Sequence, residues 1–456
     1  MNLFYSDPAM KAPLTSRRSF IKRTALALPA IAAGCAHLRG GGDDFVRVRN
    51  GRFELRGQPH FYIGTNMWFG CYLSDAALPG GRARLVRELD RLQSMGVNNI
   101  RLLAGSETSD LVAAISRGIT RAPHDYDQDL LAGLDFTLAE MAKRDMRGIL
   151  FVSNYWQWSG GFAQYVRWIT GETIPDPDKP PNDWHGFMQM SAKLYQTPAA
   201  SQLYLDYVKS LINRRNTING RVYRDDPAVM TWELANEPRP GADEKFAARD
   251  VPIFANWVDA TARFIHAQDP NHLVCTGSEG IHGCLDSADA FIASHKMRAI
   301  DYVTVHMWLK NWKWLADPAL GDAFEKAAIR ARDHVEEHTK IATDILKKPL
   351  VLEEFGLPRD HEKYSPDSPT LARDDYYRRM FDQVAESCRG GRALQAANFW
   401  AWAGEGRAVD KMGTTANAFT GDPFSEPQGL NSVFDTDAST RAIITAANRK
   451  LAALAK

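Results

Sequence analysis

The chain is 456 residues long, with 45% hydrophobic and 24% charged side chains, so a large core is available and wholesale disorder is excluded. Its formal net charge is zero, but the first 34 residues carry five basic side chains against one acid, which leaves the remainder at −4. A mildly acidic body has no electrostatic reason to seek DNA, RNA or an anionic membrane, and nucleic-acid binding is disfavoured.

At the N-terminus, Ser16-Arg17-Arg18-Ser19-Phe20-Ile21-Lys22 resembles a twin-arginine export signal, and an apolar run from Ala25 to Ala33 follows it. That run is too short to span a bilayer as a permanent helix. Ala32-Ala33-Gly34-Cys35 resembles a bacterial lipoprotein box with Ala where Leu is usual, which would leave a lipid anchor on Cys35. Ala30-Ile31-Ala32 offers a conventional signal peptidase an alternative, and the lipoprotein is the favoured of the two. Residues 36–44 (AHLRGGGDD) form a Gly-rich tether, and 45–456 are expected to be a single domain. Cys71, Cys275, Cys284 and Cys388 belong to that domain. Export permits disulfides, and a Cys275–Cys284 bridge would close a short loop. Neither a C-x-x-C pattern nor a Cys/His cluster is present, so no structural zinc or other metal is expected; no cofactor motif and no sign of an obligate protein partner stand in the sequence either.

From residue 45 onward, apolar strands alternate with helix-period stretches. Strands are predicted at 61–64, 99–103, 148–152, 229–234, 273–276, 302–305, 350–352 and 398–401. Helical patterns fall at 83–95, 130–144, 202–214, 253–267, 324–346 and 374–387. Eight strands in this alternation predict an α/β fold, a (β/α)8 TIM barrel with long βα loops forming a substrate cleft. A doubly wound sheet is the alternative, and the lack of a Gly-rich phosphate loop after the first strand counts against it. Polar and aromatic residues cluster just past each strand: Asn66 and Trp68, Arg101, Asn154 to Trp158, Asn236 and Glu237, Ser278 and Glu279, His306 and Trp308, Glu354, Trp400 and Trp402. In a barrel these positions converge on one face, where active sites form. Trp232, inside the fourth strand, and Trp257, on a helix, are expected in the core.

Two segments carry the chemistry. Thr231-Trp232-Glu233-Leu234-Ala235-Asn236-Glu237-Pro238-Arg239 ends a strand in Asn-Glu-Pro, leaving Glu237 at the rim. Lys348-Pro349-Leu350-Val351-Leu352-Glu353-Glu354-Phe355-Gly356 ends another strand in acid. A carboxylate at the end of a buried strand is costly unless paired or functional. Two of them, on strands four and seven, would face each other across the barrel mouth. Cleaving a glycosidic bond with retention uses that arrangement: one carboxylic acid protonates the leaving oxygen and the other attacks the anomeric carbon from about 5–5.5 Å away. Glu353 competes with Glu354 for the second role. Strand alternation is expected to turn Glu353 toward the helices if Glu354 faces the axis.

These motifs, with Gly64-Thr65-Asn66-Met67-Trp68, Asn99-Ile100-Arg101, Asn154-Tyr155-Trp156-Gln157-Trp158-Ser159-Gly160-Gly161, Asn398-Phe399-Trp400-Ala401-Trp402 and Glu426-Pro427-Gln428-Gly429-Leu430-Asn431-Ser432-Val433, resemble glycoside hydrolase family 5, in its β-mannanase branch. The resemblance runs from about residue 45 to 440. It implies Glu237 as acid/base, Glu354 as nucleophile, Asn236 on the sugar 2-hydroxyl, and Arg101 and His306 orienting the nucleophile. It places Trp400 beneath the attacked sugar, Trp68 along the non-reducing side, Arg239 beyond the cleavage point, and Asn154 among the substrate-binding residues. One departure is His306-Met307-Trp308 where many members carry His-x-Tyr, so Trp308 takes the place of a tyrosine near the nucleophile. Pyranose rings stack their C–H faces on indole, which makes Trp156, Trp158, Trp312 and Trp314 candidate platforms for further units. The implied activity is cofactor-free, metal-free double displacement on β-1,4-mannosidic bonds of mannan, glucomannan or galactomannan, with manno-oligosaccharides as smaller substrates. Endo action is the default. Exo action or mannobiose release follows if the strand-three loop, 162–200, walls off the cleft. A β-glucan hydrolase of the same family and a non-catalytic glycan-binding lipoprotein are the rivals, and two intact glutamates count against the latter. The export signal places the protein in the periplasm, on the outer membrane or outside the cell.

Overall fold

Near-continuous apolar runs bury both faces of a strand, and all eight expected strands form with every residue buried. They are β1 (Tyr62–Asn66), β2 (Asn99–Leu103), β3 (Arg147–Phe151), β4 (Val229–Glu233), β5 (Leu273–Cys275), β6 (Val303–Met307), β7 (Leu350–Phe355) and β8 (Leu394–Phe399). The structure, a computed structural model, describes residues 44–408 and 419–456. The expectations for the export signal and for Cys35 lie outside the described residues. β8 starts four residues earlier than its apolar signal, because Gln395-Ala396-Ala397 is too small and polar to register as a strand.

Neighbouring strands pair in parallel in the order β5-β4-β3-β2-β1-β8-β7-β6. The seam between β5 and β6 is bridged by Asp301, whose backbone N–H donates to the Val274 carbonyl at 2.9 Å while its side chain accepts from the Val274 N–H at 2.7 Å. A helix follows each strand: α1 (Gly81–Ser94), α2 (Gln128–Lys143), α3 (Pro198–Ile212), α4 (Ala247–Gln268), α5 (Ala288–His295), α6 (Asp322–Lys340), α7 (Leu371–Arg389) and α8 (Ala438–Leu454). This is the expected (β/α)8 barrel.

Their apolar stripes explain the packing. α1 buries Leu85, Leu89 and Leu92, and α6 buries Phe324, Ala327, Ala328, Ala331 and Val335, each at helix-face spacing. Asp127 caps α2, accepting from the backbone N–H groups of Asp129 and Leu130, both at 3.1 Å. α8 locks to β1 through Asn448, which accepts from the Ile63 N–H at 2.9 Å and donates to the Ile63 carbonyl at 3.0 Å.

The strand-three segment differs from the loop expected there. It contains two helices, Gly161–Thr170 and Trp184–Ala192, parted by a Pro-rich stretch that hid their short amphipathic faces. Below the barrel, Arg47–Arg49, Arg52–Leu55 and Gln58–Pro59 form a small antiparallel sheet. Its Phe53 packs with Tyr62, Met230, Leu273, Tyr302 and Val351 at the N-terminal strand ends and so plugs the bottom of the barrel. All four cysteines of the described residues are buried and free, so the Cys275–Cys284 bridge does not form. Cys275 instead faces the barrel interior, in the cluster with Phe53 and Tyr302.

Candidate active site

β4 carries alternate side chains to opposite faces. Trp232 points outward, where its indole N–H donates to Asp269 at 2.7 Å, as a core residue should. Glu233 points inward, and the chain then turns so that Glu237 reaches the rim with φ of +52°. A left-handed conformation in a non-glycine residue costs about 1–2 kcal/mol, and the Glu237 backbone N–H is held by the Gly277 carbonyl at 2.9 Å. A Cβ on Gly277 would lie 2.1 Å from the Ala235 carbonyl oxygen, so only glycine lets the two loops pass this closely.

Glu237 has a polar partner on each oxygen. Trp156 Nε1 donates to Oε2 at 2.5 Å, and His306 Nδ1 lies 2.7 Å from Oε1. Burial pushes the Glu237 carboxyl up, opposed by the Arg239 charge and the Trp156 hydrogen bond. Arg239 stacks on the Trp156 ring, 4.9 Å from its centroid, and donates to Glu279 at 2.6 Å.

Glu354 ends β7 opposite. Arg101, with no exposed surface, donates to Glu354, to Glu233 at 2.5 and 2.9 Å, to Asn66 at 3.1 Å and to Asn236 at 2.8 Å. Burial raises the Glu354 carboxyl, and the Arg101 cation opposes it. One oxygen each of Glu237 and Glu354, with a ring nitrogen of His306, lie within 4.8 Å of one another. Arg101 already supplies the positive charge that a cation would bring to this group.

The strand-alternation argument for Glu353 is overturned. Val305 pairs with Leu352, but His306 pairs with Glu354, and on the other side Leu352 pairs with Ala397 while Phe355 pairs with Phe399. Two residues of β7 thus occupy the space of one on each neighbour. This β-bulge keeps Val351, Glu353 and Glu354 on the interior side and returns Phe355 to α7, where it packs on Tyr377 and Phe381. Glu353 is fully buried inside the barrel, 3.7 Å from Arg101 and 3.6 Å from His306, rather than facing the helices.

Above the two glutamates lies a cavity of about 540 Å³, lined among others by Trp156, Asn236, Arg239, Trp308, Trp400 and Glu426. That size suits a small-molecule or oligosaccharide site. Trp400 is 3% exposed on this wall, edge-on to Trp308 with ring centroids 5.9 Å apart. The hydrogen bond on Glu354 comes from Arg101 among the described residues, so Trp308 does not take the tyrosine's place as its donor. His306 favours Glu237, at 2.7 Å, over Glu354, at 3.4 Å, which reverses the expected emphasis.

Two expected substrate contacts, Trp68 and Asn154, lie deeper, as does Arg101. Trp68 is 1% exposed, bonded through Nε1 to the Gly421 carbonyl at 2.9 Å and packed against Trp158 and Phe424, so it does not line the cavity. Arg101 and Asn154 are likewise buried beneath it. Asn154 accepts from the Asn236 amide at 3.1 Å and orients that residue. Trp312 lines the cavity, while Trp314 lies beyond it with the Arg330 guanidinium 4.1 Å over its ring. Glu426 is a lining residue with no role assigned from sequence, although its motif stood out. Burial and the nearby Asp422 push its carboxyl up to about 8.

Residues 43–456 match the family described as GH family 5 beta-mannosidase-like. A putative mannan endo-1,4-beta-mannosidase 4 of Arabidopsis thaliana is 31% identical over 381 residues, covering 80% of this chain and 84% of its own. Mannan endo-1,4-beta-mannosidase 5 of Solanum lycopersicum is 30% identical, covering 79% and 82%. The crystal structure of a glycoside hydrolase family 5 mannosidase from Rhizomucor miehei is similar with a TM-score of 0.82 and 34% identity, over 91% of this chain and 99% of that one.

Proposed function

Because the chain belongs to glycoside hydrolase family 5 and is a glycosidase, we propose that it cleaves β-1,4-mannosidic bonds with retention, using Glu237 as acid/base and Glu354 as nucleophile. The observation that carries the reading is the juxtaposition of the two carboxylates at the barrel mouth, whose nearest oxygens approach within 4.8 Å, a closeness that accords with the shorter, retaining arrangement. Retaining enzymes need about 5–5.5 Å between carboxyl groups, whereas inverting ones need about 6.5–9.5 Å to admit a water. The environments also divide the work. Burial raises both carboxyls, Glu354's the further of the two, so the division rests on contacts: Arg101 donates directly to Glu354, which favours an ionised nucleophile, while Glu237 has no such direct cation partner among the described residues and stays available as an acid. Protonated Glu237 gives its proton to the leaving oxygen as Glu354 bonds the anomeric carbon. Ionised Glu237 then takes a proton from water as that water displaces Glu354.

Mannan and manno-oligosaccharides are the proposed substrates, and the names of the plant relatives favour endo action. A second reading, cleavage from a chain end, is favoured by Trp68, which lies beneath residues 419–424 where sugars on the non-reducing side would run. Products from reduced mannohexaose separate the two: mixed internal fragments support endo action, and mannose or mannobiose alone supports exo action. Hydrolysis of cellulose but not mannan would overturn the substrate class. Export by the twin-arginine route, with lipid on Cys35, is proposed from the N-terminal motifs alone.

A further inference from the structure

The bulge in β7 puts two consecutive glutamates inside the barrel, and the reaction uses one of them. Glu353 is enclosed by Tyr62 from β1, Arg101 from β2, Glu233 from β4, Cys275 from β5, and Tyr302 and His306 at β6. Arg101 is the cation these carboxylates share, and Glu233 and Glu354 already engage it. A third anion in this layer would be left without a counter-ion at full desolvation cost. Burial and the Glu233 charge hold the Glu353 carboxyl protonated, well above the usual carboxylate range.

His306 sits between Glu353 and the reacting groups. Burial, with the Arg101 charge adding, pushes its imidazole down to about 3, so it is neutral and carries a single N–H. Nδ1 faces Glu237 at 2.7 Å, and Nε2 faces Glu353 Oε2 at 3.6 Å. The tautomer decides what happens to Glu237. With the proton on Nε2, the bare Nδ1 accepts the Glu237 proton, which is the proton the leaving oxygen needs. With the proton on Nδ1, His306 donates to Glu237 and leaves that proton free for substrate.

We propose that Glu353 is a positioning residue: kept as a neutral carboxylic acid, it offers its O–H to Nε2 of His306 and so fixes the imidazole proton on Nδ1, toward Glu237. The inference rests on the assignment of Glu237 as the acid. At 3.6 Å the two groups stand just short of a hydrogen bond, and Nε2 and both Glu353 oxygens are buried with no other hydrogen-bond partner among the described residues, so a small side-chain rotation that closes the gap satisfies Nε2 and Oε2 together. Glu353 acts without touching substrate, so its loss lowers turnover and leaves KM largely unchanged.

The test compares Glu353→Gln and Glu353→Ala, with Tm recorded, on mannotriose and on 2,4-dinitrophenyl β-mannoside, whose leaving group departs without a proton. The Gln amide still donates to Nε2, and this variant is expected to keep turnover within about threefold of the parent on both substrates. The Ala variant is expected to lose about tenfold or more on mannotriose and far less on the dinitrophenyl substrate. Should Glu353→Ala fail to fold, Glu353→Met supplies similar bulk without a donor. Equal losses on both substrates, or a Gln variant as impaired as Ala, would overturn the proposal. Failure of the underlying reading is separately visible, because Glu237→Ala would then keep its kcat/KM on mannotriose or lose it equally on both substrates.

Discussion

Replacing Trp156 with Phe removes the indole donor on Glu237 while keeping an aromatic wall under Arg239. The lost bond runs from the indole N–H to Oε2 at 2.5 Å, and His306 continues to hold Oε1. A hydrogen bond to a charged group contributes about 1.5–3 kcal/mol. One pKa unit corresponds to about 1.36 kcal/mol, so complete loss would move the group by roughly one to two units. Trp156 is half-buried at the cavity wall, where water replaces part of the donor, and a shift of about one unit is expected. The donor favours the ionised carboxylate, so its removal raises the Glu237 pKa. Glycosylation needs Glu237 protonated, so the basic limb of kcat/KM on manno-oligosaccharides moves to higher pH. The acidic limb, set by Glu354, stays where it was. Weaker stacking lowers kcat/KM at every pH without displacing either limb. A basic limb that stays put or moves to lower pH would refute Glu237 as the group that bond controls.

Other predictions follow from single contacts. Trp400 is 3% exposed, so Trp400→Phe, which keeps most of the buried ring, is the informative change: it should lower turnover on manno-oligosaccharides by the equivalent of about 1–3 kcal/mol, by analogy with aromatic stacking of bases, with only a modest fall in Tm; unchanged turnover would remove Trp400 from the substrate wall. Arg101→Met strands Glu233 and Glu354, and the urea midpoint should fall by the equivalent of about 3–5 kcal/mol; an unchanged midpoint would mean these carboxyls are neutral without it. Replacing Arg17 and Arg18 with Lys should trap precursor in the cytoplasm, and mature protein reaching the envelope would refute twin-arginine export.

The barrel was legible because its strands are buried on both faces, which produces continuous apolar runs such as Ile100 and Leu102–Leu103 around an inward Arg101. Glu237 was legible because Pro238 ends the strand beside it. What period-two alternation could not convey was the bulge at Glu353, since register depends on the neighbouring strands and not on the run itself. The two helices of 161–192 were hidden by proline and glycine punctuation between short amphipathic segments. Trp68 and Asn154 illustrate a third limit. Their position just past a strand was readable, but depth beneath a later loop is a tertiary fact, and the loop that covers Trp68 lies more than 350 residues away in the chain.

The most direct test of the central claim is covalent trapping with a 2-deoxy-2-fluoro-β-mannosyl fluoride, followed by peptide mapping. The fluorine slows release of the glycosyl-enzyme, so a nucleophile assignment is read as a mass increase on one residue. The account expects the label on Glu354, with Glu353 in the same peptide unmodified, and a Glu237→Ala variant that still labels because the fluoride departs without an acid. A label on Glu353, or no adduct together with a product of inverted configuration, would contradict it.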